Sequence, residues 1–173
     1  MTTQPNNSIR QRLKKPLWLL LLLCVASWLT FLILDRIWPL PVESFEQRHF
    51  AQVVVDKDGL PLRAFADDNG VWRYPTTVDQ VSPLYIEALI NYEDRYFYRH
   101  FGINPFSIVR AAWQRLTEGR YVSGASTLTM QVARIMQNHD KTLRGKVGQM
   151  FRALQLEWHY SKPEILNYYL TYA

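Results

Sequence analysis

The sequence predicts a mainly α-helical protein with a small β-containing neck and one N-terminal membrane-spanning helix. An uncharged apolar run lies early in the chain, two turn signals separate short apolar runs after it, and apolar positions beyond residue 75 repeat at helical spacing. A chain of 173 residues has room for about one domain of this kind. Its 6 Trp, 10 Tyr and 8 Phe exclude an intrinsically disordered chain, and its single cysteine excludes a disulfide framework or a Cys-rich zinc site.

Residues 17–34 contain no charge and read LWLLLLLCVASWLTFLIL. A helix of this length covers about 27 Å, close to a hydrocarbon core of roughly 30 Å, and we assign residues 17–37 as a membrane anchor. A cleaved signal peptide is the alternative interpretation. Its apolar region usually spans only about 7–15 residues, and the one small-residue cluster here is followed by Trp28 and Phe31.

Basic residues are concentrated on one side of this run. Arg10, Arg12, Lys14 and Lys15 precede it, whereas only Arg36 follows it closely. The positive-inside rule therefore predicts that residues 1–16 are a cytoplasmic tail. A nucleic-acid-binding arm is the alternative for this tail, but its position beside an apolar run argues against nucleic acid.

Residues 38–75 are predicted to form a linker and a small β meander. Strand-like runs at Gln52–Val55 and Leu60–Phe65 flank the turn signal Asp-Lys-Asp-Gly. A second turn at Asp67–Gly70 leads into a third run, Val71–Tyr74. We expect these three runs to pair.

Residues 76–173 are predicted to form a helical lobe, because five helix-start signals follow one another. These signals are Ser82-Pro83, with a helix toward Glu93; Asn104-Pro105, with a helix ending near Gly119; Ser126 or Thr127; Thr142; and the capping box Ser161-Lys162-Pro163-Glu164.

The charges of the two halves differ in sign. Residues 38–94 carry four basic and ten acidic residues, whereas residues 95–173 carry eleven basic and four acidic ones. A basic half in a membrane-anchored protein suggests an anionic partner, most simply a phosphate of a lipid headgroup or of a lipid-linked substrate. A solvated surface remains the alternative for most of the individual arginines.

Glu93 is the leading candidate for acid–base chemistry. Glu93, Phe97 and His100 recur at i, i+4 and i+7, and the aromatic residues around Glu93 should desolvate it in part. A partly desolvated carboxylate suits a general base near neutral pH. A structural pairing with Arg95 or His100 explains the same residues equally well.

The segment Gly124–Gln131 reads G-A-S-T-L-T-M-Q, with a glycine before hydroxyl side chains at a helix start. Such a segment offers N–H groups and hydroxyls to an anion, although Ser and Thr also cap ordinary helices. Four cations follow it, and together they would suit a pyrophosphate. They are Arg134, Lys141, Arg144 and Lys146.

Three motifs resemble the peptidoglycan glycosyltransferase domain, glycosyltransferase family 51, of class A penicillin-binding proteins. They are E-D-x-x-F-x-x-H-x-G (Glu93–Gly102), G-A-S-T-x-T-x-Q (Gly124–Gln131) and S-K-x-x-I-L-x-x-Y-L (Ser161–Leu170), in the family's order and spacing. The resemblance covers roughly residues 45–173. The stretches T-L-T-M-Q-V-A-R and R-A-L-Q-L-E-W-H are most similar to the penicillin-binding protein 1C branch.

The resemblance implies a lysozyme-like helical lobe that polymerises lipid II into β-1,4 glycan strands. Glu93 would be the general base, the anomeric centre would invert, and undecaprenyl pyrophosphate would leave. The residues implied to bind substrate or pyrophosphate are Asp94, Phe97, His100, Gly124, Ser126, Thr127, Gln131, Arg134, Lys141, Lys146 and Gln149.

The resemblance also implies the surroundings of the lobe. The protein would be anchored in the bacterial inner membrane with its lobe in the periplasm, and its partners would be lipid II, the growing glycan strand, membrane lipid and other cell-wall synthesis proteins. No cofactor is required by this chemistry. A divalent cation, Mg²⁺ or Mn²⁺, assists some members, but the sequence contains no legible cluster of metal ligands.

The sequence departs from the family pattern at three points. Gln149 stands where the family commonly has a second glutamate, Thr171 stands where it usually has Asn, and the fifth motif is absent, so that the lobe is expected to be incomplete at its C-terminus. No Ser-x-x-Lys motif is present, so we expect no transpeptidase activity and no acylation by β-lactams.

Two other functions remain to be weighed. An inactive fragment would bind lipid II or partner proteins without catalysis. A lytic, lysozyme-like enzyme would cleave glycan, but the segment Gly124–Gln131 argues against it.

Overall fold

The computed structural model describes residues 7–42, 49–119, 126–138, 140 and 142–173, with side chains described from residue 18 onward. The chain divides into two compact units, Met1–Leu40 and Pro41–Ala173. The second unit contains the candidate site.

The first unit is dominated by helix α1, Asn7–Ile37. Its segment Trp18–Ile37 is the one helix in the described part of the chain that is long and apolar enough to cross a membrane, and no part of that segment is buried by protein. The hydroxyl of Thr30 donates to the carbonyl of Ala26 at 2.8 Å, so this polar group is satisfied within the helix. The predicted apolar helix is confirmed, and it is consistent with a membrane anchor.

The second unit begins with a two-stranded antiparallel hairpin. Strand β1, Gln52–Val55, pairs with strand β2, Pro61–Phe65, and the register places Gln52 opposite Phe65. In the connecting turn, the carboxylate of Asp56 accepts hydrogen bonds from the backbone N–H groups of Asp58 and Leu60, both at 2.9 Å. The predicted hairpin is therefore confirmed.

The predicted third strand, Val71–Tyr74, is wrong. The carboxylate of Asp67 accepts from the N–H groups of Asn69 at 2.9 Å and Val71 at 2.8 Å, and from the Arg73 guanidinium at 3.0 Å. These bonds form a local turn, and the turn uses the N–H of Val71, which a ladder at the start of the predicted strand would require.

Within the described residues, five helices build the rest of the unit. They are α2 (Pro83–Glu93), α3 (Pro105–Glu118), α4 (Leu128–Met136), α5 (Leu143–His159) and α6 (Lys162–Tyr172). Short 3₁₀ turns lie at Val78–Gln80 and Phe97–Arg99.

The helix boundaries follow the predicted caps. Asn104 begins α3 by accepting from the N–H of Ser107, and Gly119 ends it at a φ of +67°. Thr127 and Thr142 cap α4 and α5 through side-chain oxygens, and Ser161 forms the predicted capping box at the start of α6. Because these signals are local, they could be read directly from the sequence.

The core forms around α4, which packs against both α5 and α6. Its fully buried side chains include Leu128, Met130, Val132, Leu156, Ile165 and Leu166. The neck is joined to α6 by two backbone N–H groups: that of Thr76 donates to Thr171 Oγ1 at 3.0 Å, and that of Val78 donates to Asn167 Oδ1 at 2.8 Å. Contacts between residues distant in sequence thereby attach the segment before α2 to α6.

Candidate active site

Glu93 is the last residue of α2, and its side chain is half-buried. One of its oxygens, Oε2, accepts a hydrogen bond from Gln131 Nε2 of α4 at 2.8 Å. Neither Arg95 nor His100, the pairings considered from sequence, bonds to Glu93 among the described residues, and His100 is bonded to Asp94 instead. The carboxylate is therefore oriented by a neutral amide, and no cation neutralises it within the described part of the chain.

A tyrosine lies close to this carboxylate. Burial raises the pKa of the Tyr169 phenol, and the neighbouring Glu93 and Tyr85 raise it further. The phenol of Tyr169 therefore stays protonated at pH values where an ordinary tyrosine would begin to ionise. Tyr169 belongs to the sequence motif Ser161–Leu170, but nothing in that motif indicated a position beside Glu93.

Asp94 is buried and has an internal role in this fold. Its carboxylate accepts from His100 Nε2 at 2.9 Å and from the backbone N–H of Leu128 at 3.0 Å. The second bond is made at the first residue of α4, where a negative charge is favoured by the helix dipole. Asp94 therefore ties the segment after Glu93 to the start of α4.

Phe97 and His100 complete this buried layer. Phe97 has no exposed surface, and the Lys162 ammonium lies 4.4 Å from the centre of its ring. The Nδ1 atom of His100 is buried and has no hydrogen-bond partner within the described residues. The structure thus places Asp94, Phe97 and His100 together, in the packing next to Glu93.

The start of α4 is held by a bond to a distant glycine. Thr127 is buried, donates to the carbonyl of Gly102 at 2.6 Å, and accepts from the N–H of Met130 at 3.1 Å. Gly102 has a φ of +74°, and a Cβ placed on it would lie 2.6 Å from the carbonyl oxygen of Ala153. Close packing against α5 therefore requires glycine here.

The cationic side of the site centres on Lys146 of α5. Its ammonium donates to Ser126 Oγ at 2.6 Å and to Gln149 Oε1 at 3.0 Å. Burial lowers the pKa of Lys146, and the positive charge of Arg134 lowers it further. Within the part of the chain that the structure describes, neither cation has a carboxylate partner, so their positive charge is uncompensated.

Helix α4 brings the two sides together. Gln131 contacts Glu93, and the preceding residue, Met130, accepts from Gln149 Nε2 at 2.6 Å through its carbonyl. Gln149 in turn contacts Lys146. A carboxylate and a cation are therefore both connected to adjacent residues of one helix.

Two of the residues implied to bind pyrophosphate, Gly124 and Lys141, lie outside the described residues.

One polar network was not expected from the sequence. Glu157 Oε1 accepts from Thr129 Oγ1 and from Lys162 Nζ, both at 2.6 Å, and its side chain is almost fully buried. This network joins α4, α5 and α6, and the buried charge of Glu157 is paired.

Comparisons with known proteins identify the family of this chain. The family model for transglycosylases matches residues 58–173. Penicillin-binding protein 1C of Escherichia coli (strain K12) is 58% identical over 152 residues, which are 88% of this chain and 19% of that protein. Penicillin-binding protein 1A/1B of Bacillus subtilis (strain 168) is 34% identical over 163 residues, 91% of this chain and 18% of that protein. The chain thus spans about a fifth of the length of these relatives.

Proposed function

The chain belongs to the transglycosylase family, and from that premise we propose that it is a peptidoglycan glycosyltransferase that polymerises lipid II into β-1,4 glycan strands. One observation supports this most strongly. A half-buried carboxylate, Glu93, is held by the amide of Gln131. The cations Lys146 and Arg134, which have no carboxylate partner among the described residues, are connected to the same helix. This combination provides a base for an incoming hydroxyl and a positive site for a departing diphosphate.

Glu93 acts as the general base. With Oε2 bound to Gln131, its other oxygen can accept the proton of the acceptor's sugar 4-hydroxyl. The hydroxyl oxygen attacks the anomeric carbon of the growing chain while the bond from that carbon to the diphosphate oxygen breaks, so the anomeric centre inverts. Gln131 orients the carboxylate without neutralising it, because an amide carries no charge.

Lys146 and Arg134 stabilise the negative charge that develops on undecaprenyl pyrophosphate. An ammonium has three N–H donors, and Ser126 and Gln149 accept two of those of Lys146. The third donor is available to a phosphate oxygen. We assign Gly124 and Lys141 to the same anion site from the sequence motifs alone.

Asp94, Phe97 and His100 support the site by positioning it. Asp94, the residue after the base, accepts from the N–H of Leu128, and the fully buried Phe97 packs against His100. Thr127 fixes the same helix start through Gly102. Glu93 and Ser126 therefore take their positions from a shared buried framework.

The donor set does not fit a resident divalent cation. The described residues contain no group of three His, Cys, Asp or Glu side chains, and the position beside Ser126 is taken by an ammonium and an amide. For the location we propose a single-pass anchor with residues 1–16 in the cytoplasm and the lobe in the periplasm, because the basic residues precede α1's apolar segment.

Labelled lipid II tests the proposed function. The detergent-solubilised protein is expected to convert it into glycan strands that are resolved by gel electrophoresis. Glu93→Gln is expected to lower the polymerisation rate by about 10²–10⁴-fold while lipid II binding persists, because only the proton acceptor is lost. Glu87→Gln, an exposed position on the same helix, is the matched control and should retain the parent rate.

Two results would reject the proposal. Bound lipid II that is never polymerised by the parent protein would indicate a binding fragment. Loss of turbidity in a suspension of purified sacculi, without polymerisation, would indicate a lytic enzyme.

A further inference from the structure

The side chain of Gln149 connects the two sides of the site and is almost fully buried. Its Nε2 donates to the carbonyl of Met130 at 2.6 Å, and its Oε1 accepts from Lys146 Nζ at 3.0 Å. The partners determine the orientation of the amide, because an ammonium can only donate and a carbonyl can only accept. A reversed amide would place donor against donor and acceptor against acceptor.

A glutamate would not make the same two contacts. A carboxylate of the same length would place an acceptor oxygen against the Met130 carbonyl, where Gln149 now donates. It would also place a negative charge beside Lys146 and pair with the ammonium. Only an uncharged side chain with both a donor and an acceptor satisfies both neighbours and leaves the cation uncompensated.

We propose that Gln149 is a positioning residue that fixes the Lys146 ammonium beside Ser126 without neutralising its positive charge, so that the site binds a diphosphate group directly, without a divalent cation. This inference rests on the proposed function, and it deepens that function by specifying how the leaving group is held.

The electrostatics of the site support this role. Lys146 is half-buried, and Arg134 is a second positive charge that acts on it and lowers its pKa. In such surroundings a single charge at hydrogen-bonding distance acts far more strongly than it would in water. A diphosphate that approaches this pair meets two positive charges, whereas a carboxylate at position 149 would reduce their sum to one.

Binding of inorganic pyrophosphate to the full chain in detergent, measured by calorimetry, tests the inference. The parent protein is expected to bind pyrophosphate in the presence of EDTA, with no gain in affinity when Mg²⁺ is added. Gln149→Glu is expected to weaken binding in EDTA by about tenfold or more, since one charge is removed next to a half-buried cation, and added Mg²⁺ should restore part of the loss. Gln52→Glu introduces the same charge at an exposed position on β1 and should bind as the parent does.

The pH dependence provides a readout that a purely structural role would not change. In the parent, the pKa of Lys146 lies below its usual 10.5. Pyrophosphate affinity is expected to fall as the pH rises through this lowered pKa, because the Lys146 ammonium then loses its proton and its positive charge. In Gln149→Glu this fall should move to higher pH, since an adjacent carboxylate favours the ammonium. An unchanged pH profile would overturn the positioning role.

Two further outcomes would also overturn the inference: a parent protein that binds pyrophosphate only with Mg²⁺, and a Gln149→Glu variant that binds as tightly as the parent in EDTA. The first is measured on the parent alone and does not depend on the folding of a variant. Failure of the proposed function can be distinguished from failure of this inference. A protein that binds pyrophosphate in EDTA but never polymerises lipid II would refute the proposed glycosyltransferase activity and leave the anion site standing.

Discussion

Replacing Gly102 by alanine tests how tightly the start of α4 is joined to α5. Gly102 has a φ of +74°, and its new Cβ would lie 2.6 Å from the carbonyl oxygen and 2.8 Å from the carbonyl carbon of Ala153. These are backbone atoms of a buried helical residue and cannot rotate away. The left-handed backbone costs about 1–2 kcal/mol for alanine, and overpacking adds about 1–3 kcal/mol, so we expect a loss of about 2–5 kcal/mol in the free energy of unfolding.

Gly119→Ala is the matched control. Gly119 has a φ of +67°, and among the described residues no atom would lie within 4 Å of the added methyl group, so that only the backbone term of about 1–2 kcal/mol applies. Urea unfolding in detergent, followed by circular dichroism, gives both values. Gly102→Ala should lose more stability than Gly119→Ala by about 1–3 kcal/mol. Equal losses would refute the close packing of Gly102 against α5.

Four further substitutions address the helix caps and the buried carboxylate. Thr142→Ala should lower the free energy of unfolding by about 1 kcal/mol because its side chain caps α5, whereas Ser82→Ala, at a cap without a side-chain bond, should change it by less than about 0.5 kcal/mol. Asp94→Ala should lose about 2–6 kcal/mol, since two buried donors lose their acceptor. Hydrogen bonds from Ser161 lower the pKa of Glu164, so Ser161→Ala should raise that pKa toward its usual value in an NMR titration.

Each of these expectations can fail in its own way. Equal losses for the two cap variants, measured by urea unfolding, would contradict the hydrogen-bond account of Thr142. An Asp94→Ala protein as stable as the parent would show that the two buried hydrogen bonds make no net contribution to the free energy of unfolding. For Glu164 the sign is set by its lowered pKa: its ionised form stabilises the fold, and that contribution is lost as the pH falls through the folded-state pKa. The Ser161→Ala protein should show this loss at higher pH than the parent.

Helix boundaries could be predicted because their signals lie within a few residues of each end. The helix beginning at Pro83 ends at Glu93, as expected, and Asn104 and Gly119 bound α3 as their chemistry requires. The general-base candidate emerged in the same way, from its aromatic surroundings and its motif. Its half-buried position agrees with the sequence argument.

The remaining features depend on contacts between distant residues. The bond between Gln131 and Glu93 joins positions 38 residues apart, and no local pattern distinguished it from a pairing with Arg95. The strand expected at Val71–Tyr74 failed for a related reason, because the carboxylate of Asp67 captured the N–H groups of the turn. A single backbone bond, from the N–H of Ala51 to the carbonyl of Arg73 at 2.9 Å, joins this segment to the residue before β1 without extending into a ladder among the described residues.

The attachment of the neck to α6 has a consequence for the order of assembly. The backbone groups of Thr76 and Val78 bind side chains that are 95 and 89 residues further along the chain. A ribosome adding about 5–20 residues per second needs on the order of 5–20 s to cover that interval. During this time a nascent chain already carries Glu93 but lacks the helix that holds the neck in place. The two bonds that attach the neck to α6 can therefore form only after Asn167 and Thr171 have been synthesised.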